Sequence, residues 1–172
     1  MLDSPATHLS EVTIALRLVL AAAFGAVIGY ERERLDRPAG LRTHMLTALA
    51  AAVFTIITFE IYAVTVRDPG SSADPIRIIE AVTAGVAFLA AGAIFRSQGD
   101  VHGLTTGAGM WLAGAIGVAT GAGYFVLAAM ATALAAFILA VLRRLELGNN
   151  GKADKDRQGD TTGDTTKPDR TG

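Results

Sequence analysis

Between Glu31 and His44 the chain reads ERERLDRPAGLRTH, a densely charged run with almost wholly apolar sequence on both sides. That contrast reads as a membrane loop. Arg32, Arg34, Arg37 and Arg42 place it in the cytoplasm, because short loops rich in Lys and Arg stay on that side. Every other segment is oriented from that point. With 51% apolar residues, and charge scarce before the last part of the chain, the fold class expected is an all-α integral membrane protein. A span needs about 20 apolar residues to cross roughly 30 Å of hydrocarbon, and the sequence has room for about five. A net charge of -1 without a basic stripe gives no reason to expect nucleic acid as a partner. The absence of cysteine excludes disulfides, thiol nucleophiles and cysteine metal sites.

Residues 1–11 contain no Lys or Arg, so the positive n-region of a signal peptide is missing and an external, mature N-terminus is expected. A membrane domain over 12–146 follows, with spans expected at about 12–30, 43–66, 76–95, 104–120 and 122–142. Thr43 is the expected N-cap of the second span, and the outer loop 67–75 is rich in turn residues. The second inner loop, 97–103, follows Arg96. Arg143 and Arg144 close the fifth span on the cytoplasmic side. Residues 147–172, polar and without apolar periodicity, are expected to be a disordered cytoplasmic tail.

Gly40-Leu41-x-Thr43 matches Gly103-Leu104-x-Thr106 at an offset of 63 residues, which suggests a parallel two-helix repeat of spans 1–2 and 3–4. Small residues at Ala21, Gly25 and Gly29 in span one, and at Ala84, Ala87 and Ala91 in span three, permit close helix contact. Gly92 falls in the same class.

Four motifs together carry a resemblance: GAVIGYER (25–32), PAGLRTHM (38–45), GAIFR (92–96) and the run from Gly103 to Trp111. Over about residues 12–142 the sequence resembles the membrane domain of the MgtC/SapB family of bacterial inner-membrane proteins. The resemblance implies a multi-pass protein linked to magnesium limitation, acid stress and, in pathogens, survival inside host cells. It implies a regulator or interaction partner of other membrane machinery, with the F-type ATP synthase as one target. The alternative is a small magnesium, cation or proton transporter. Longer relatives carry a C-terminal domain of ACT-like fold, where this sequence has residues 147–172.

The loop motif Glu31, Arg32, Pro38, Gly40, Arg42, Thr43 and His44, with Arg96, Asp100, Gly103 and Thr106 of the second inner loop, forms the candidate cytoplasmic site. Its carboxylates and imidazoles could hold a hard cation, but the interleaved arginines favour a salt-bridged loop. Neither a metal nor a cofactor is expected. There is no HExxH, phosphate-cradling loop or Ser-His-Asp set, so no enzyme is expected either. Trp111 falls inside span four, where its indole N–H needs a partner that lipid cannot supply. It is therefore expected to pack toward the bundle or to contact another membrane protein. Expected partners are the lipid bilayer and other integral membrane proteins, with a second copy of the chain as a further option.

Arg17, Glu60 and Glu80 each fall about four to six residues from the outer end of a span, at one level of the outer leaflet. Charges in hydrocarbon seek one another, so an Arg17–Glu80 ion pair is expected, with Glu60 as second acceptor and one glutamate either protonated or holding a cation.

Overall fold

The computed structural model describes residues 7–65, 74–97 and 100–141, with only the backbone at Ser97 and Asp100. Residues 66–73, which take in most of the expected outer loop 67–75, together with Arg143, Arg144 and the tail 147–172, lie outside the described residues.

The first helix starts where the sequence can cap it. The Ser10 hydroxyl accepts the Thr13 N–H at 3.2 Å, satisfying one of the orphan donors of a first turn. From there α1 runs Glu11–Arg34, 24 residues, or about 36 Å. It continues past the expected end at residue 30, so Glu31–Arg34 are helical and not loop. Glu and Arg are good helix formers, and Arg32 and Arg34 complement the negative end of the helix dipole. Asp36 then adopts φ 51°, a left-handed conformation that Asp tolerates. Its N–H returns to Glu33 O and that of Arg37 to Arg32 O, both at 3.1 Å, which closes the helix in a Schellman motif.

Helix α2, Leu41–Thr65, is not capped by Thr43 as expected. The Glu33 carboxylate reaches across the turn and accepts the Leu41 N–H at 2.9 Å, which leaves Thr43 inside the first turn. Gly40 makes this possible, since a Cβ there would collide with the Glu33 carboxylate. Along α2 the hydroxyls of Thr47, Thr55, Thr58 and Thr65 donate to the carbonyl four residues back at 2.7–2.9 Å. That solution satisfies them without water.

Helix α3, Arg77–Gly92, has 16 residues and stops short of the expected 95. Phe95–Ser97 (β1) instead pairs antiparallel with Asp100–His102 (β2), with Phe95 opposite His102 and Arg96 opposite Val101. The Phe95 and His102 rings stack at 5.5 Å. This hairpin was not expected: three-residue strands are too short for an alternation signal, and only the two-residue Gln98-Gly99 connection hinted at it. Gly103 follows at φ 85°, with no room for a Cβ against Ala93 O. Then α4 runs Leu104–Ala122, Gly123 turns the chain at φ 92°, and α5 runs Phe125–Val141.

The described residues thus form five helices and one small hairpin, an all-α membrane fold. Of these, α1 and α2 are long and apolar enough by themselves to cross a membrane. The starts of α2 and α4 lie 63 residues apart, as the offset requires, although α1 and α3 differ in length. The chain divides into two units at residue 136, and packing is described for the first.

Helix α1 packs on α2 and α4, while α3 packs on α4 and α2. Glycine sets the spacing in the first group. A Cβ at Gly25 would lie 2.6 Å from His44 O, one at Gly29 2.8 Å from Leu41 Cα, and one at Gly121 2.7 Å from Ala52 O, while one at Gly117 would strike Ala48 O. The buried residues between these backbones are small, Ala21, Ala48, Ala52 and Ala113, with Ile28 and Ile116 filling the wider gaps.

Candidate functional site

At the charged end of the helices the loop motif is built into the core. Ala39 is buried against Ala90 and Met110, so the turn between α1 and α2 is seated on α3 and α4. Arg32, only 5% exposed, lies one turn beyond Gly29 on the buried face of α1. Its Nη2 pairs with Glu31 Oε2 at 3.4 Å. His44 is fully buried between the α1 glycines and Gly109 of α4.

The imidazole has a defined tautomer. Nδ1 lies 2.8 Å from Gly40 O, and a carbonyl only accepts, so Nδ1 carries the proton and Nε2 presents its lone pair. Nε2 faces α4, where a Cβ at Gly109 would lie 3.1 Å away. Among the described residues Nε2 finds no donor, and Arg32 Nε and Glu31 Oε1 are also buried without partners. Three orphan polar atoms at one end of a helix packing mark a place where structure alone does not explain the residue choice.

Around this buried base the remaining motif residues face outward. Arg34, Pro38 and Arg42 are exposed, Arg34 lies 5.6 Å over the Tyr30 ring, and Thr43 is half-buried in the first turn of α2. From the second loop, Thr106 is buried and Arg96 exposed on β1, while the Asp100 side chain lies outside the described residues. Gly103 serves the turn. Among the described residues no group of three or more His, Asp or Glu gathers in a metal-holding arrangement.

At the opposite end the expected ion pair does not form. Arg17 Nη1 donates to Gly121 O at 2.6 Å, in the last turn of α4. Glu60 accepts the backbone N–H groups of His8 and Leu9 at 2.6 and 3.0 Å, which ties down the segment before α1. Glu80 is exposed in the first turn of α3. Among the described residues no carboxylate lies within 4 Å of the Arg17 guanidinium. The cause is topological: α1 packs on α2 and α4, so Arg17 and Glu80 lie on helices that do not share a face. Arg17 is held instead by an orphan carbonyl at the end of α4, its Nε buried without a partner among the described residues, and Glu60 by two backbone N–H groups ahead of the Ser10 cap.

Two further expectations change. A Cβ at Gly92 would meet nothing within 4 Å, so Gly92 is not a packing glycine. Trp111 is half exposed and lines a cleft, which sets aside packing in the core and leaves the other expectation, a contact with another membrane protein. Gly109, Gly117 and Gly121 were missed, yet the four-residue spacing of Gly117 and Gly121 is the small-xxx-small signal of close helix approach.

The MgtC family model matches residues 18–147. The chain belongs to the MgtC family. The match takes in the Glu31–His44 motif and the second loop, and it starts one residue after Arg17. Similar proteins include "Putative magnesium transporter YhiD" of Escherichia coli K12, 35% identical over 130 residues, 76% of this chain and 60% of that one. Protein MgtC of Brucella abortus is 38% identical over 128 residues, 73% and 50% of the two chains. Protein SapB of Bacillus subtilis is 38% identical over 113 residues, 65% and 49%. The chain therefore spans about half the length of these curated relatives. No solved structure matches it.

Proposed function

We propose that this MgtC-family chain is a non-enzymatic regulator or interaction partner of other integral membrane machinery, acting under magnesium limitation or acid stress. It sits in the bacterial inner membrane with its N-terminus outside and its C-terminus and the Glu31–His44 end in the cytoplasm. The observation that carries this reading is the α1–α2–α4 packing. Glycines 25, 29, 117 and 121 bring backbones together until no side chain fits between them. Transporters commonly open helices at the midplane to hold their substrate, whereas here α1, α2 and α4 run unbroken. Their best-placed charges, Arg17 and Glu60, are hydrogen-bonded to backbone groups. Exposed Arg34 and Arg42, seated on the buried Arg32–His44 base, offer a basic face to a partner. The F-type ATP synthase is the first partner to test, and a second copy of the chain the next.

Magnesium transport is the second reading, favoured by the name of the Escherichia coli relative. The regulatory reading is tested by native purification of the tagged full chain from magnesium-starved cells. It expects an integral membrane complex to co-purify and to be lost when Arg34 and Arg42 become Gln, with reporter-measured topology unchanged. Recovery of the chain alone, or equal recovery of the complex with the double variant, would refute it.

A further inference from the structure

Between α2, α3, α4 and the start of α5 lies a cleft of about 510 Å³, with Phe59, Thr83, Val86, Trp111, Ala115 and Tyr124 among its walls. That volume is in the range of small-molecule sites, which are mostly apolar with a few polar groups that fix orientation. None of the described residues lining the cleft is charged, so an ionised ligand would be left unpaired there, at a prohibitive desolvation cost.

Depth narrows the choice further. Trp111 lies seven residues from the Leu104 start of α4 and eleven from its Ala122 end, about 10 and 16 Å along the axis. With α4 crossing the bilayer, the indole sits deep in hydrocarbon. Its N–H has no acceptor among the described residues, and neither the Thr83 nor the Tyr124 hydroxyl makes a hydrogen bond there. Thr83 contrasts with Thr47, Thr55, Thr58 and Thr65, which all return their hydroxyls to the helix backbone. Unmatched donors in hydrocarbon are expensive. Phospholipid ester groups stay near the interface, roughly 15 Å from the midplane of a core about 30 Å thick, and do not reach Trp111.

We propose that the cleft binds a neutral lipophile of the quinone class. Its apolar tail would lie against the α3–α4 walls, and its ring carbonyls would accept hydrogen bonds from Trp111 and Thr83. The inference rests on the membrane placement of α4 and is independent of whether the protein is a regulator or a transporter.

Trp111 is the chain's single tryptophan, so its fluorescence reports directly on the cleft. The full chain in phospholipid nanodiscs is titrated with a short-tailed benzoquinone. Saturable quenching is expected, against the linear, partition-driven quenching of a membrane tryptophan peptide. Ala115→Leu fills the cleft from an exposed position and should weaken binding tenfold or more with an unchanged melting curve. Thr83→Val, which keeps both fold and probe, should weaken it by about tenfold, the loss of one hydrogen bond in an apolar site. The alkane tail without its ring should compete about tenfold less well. Linear quenching, saturable quenching indifferent to both substitutions, or equal competition by the bare alkane would overturn the proposal, the last by showing an acyl-chain groove.

Discussion

Replacing Gly25 by Ala puts a methyl group 2.6 Å from the His44 carbonyl oxygen and 3.0 Å from Ala48 Cβ. Ordinary contact begins near 3.4 Å, so α1 and α2 must part by about 0.8 Å along that line. Neither obstacle can rotate away, because one is backbone and the other is fixed to it. Overpacking of this kind costs about 1–3 kcal/mol, here toward the top of the range, and helix propensity returns about 1 kcal/mol. The net loss is about 1–2 kcal/mol. At about 2–4 °C per kcal/mol for a chain of this size, Tm of the detergent-purified protein falls by about 2–8 °C. The same substitution at Gly85, where a Cβ meets nothing within 4 Å, should instead gain about 0.5–1 kcal/mol. Thermal unfolding of the two variants beside the parent is the assay. A Gly25→Ala protein that melts at or above the parent, or two variants shifted in the same direction, would refute the claim that glycine spacing sets the α1–α2 contact.

Glu60→Gln should release the segment before α1, seen as faster hydrogen exchange at residues 8 and 9 with little change in Tm, since its bonds to those two N–H groups hold only the short stretch ahead of the Ser10 cap. In a cycle of Arg17→Glu and Glu80→Arg, the double variant should equal the sum of the singles within about 0.3–0.5 kcal/mol, because the side chains sit apart; a larger mutual rescue would restore the ion pair. Gly40→Ala should destabilise through its collision with the Glu33 carboxylate, and adding Glu33→Ala should recover part of the loss in the same melting assay. His44→Leu removes an orphan buried acceptor along with one hydrogen bond, so stability should stay within about 1 kcal/mol while recovery of the partner complex declines.

Apolar length and arginine placement made the helices and their approximate bounds readable, and GAVIGYER with PAGLRTHM made the family readable. Other features depend on which helices share a face. Nothing local in the sequence distinguishes Gly25, pressed on His44, from Gly92, which faces open space. Arg17 and Glu80 lie at one level of the outer leaflet, yet α1 packs on α2 and α4, where the expected ion pair needed α3. The burial of Arg32 and His44 was hidden for a similar reason. Charge density marked Glu31–His44 as a solvated loop, whereas α1 extends through its first four residues, α2 begins at Leu41, and Ala39 seats the turn between them on α3 and α4.

The central claim, that the chain acts on other membrane machinery and does not itself carry ions, is tested most directly by flux. Purified full chain is reconstituted in liposomes under a magnesium or proton gradient, with a dye for each ion inside. The account predicts flux equal to that of protein-free vesicles. Flux that is saturable, proportional to the protein added and selective for magnesium or protons would contradict it.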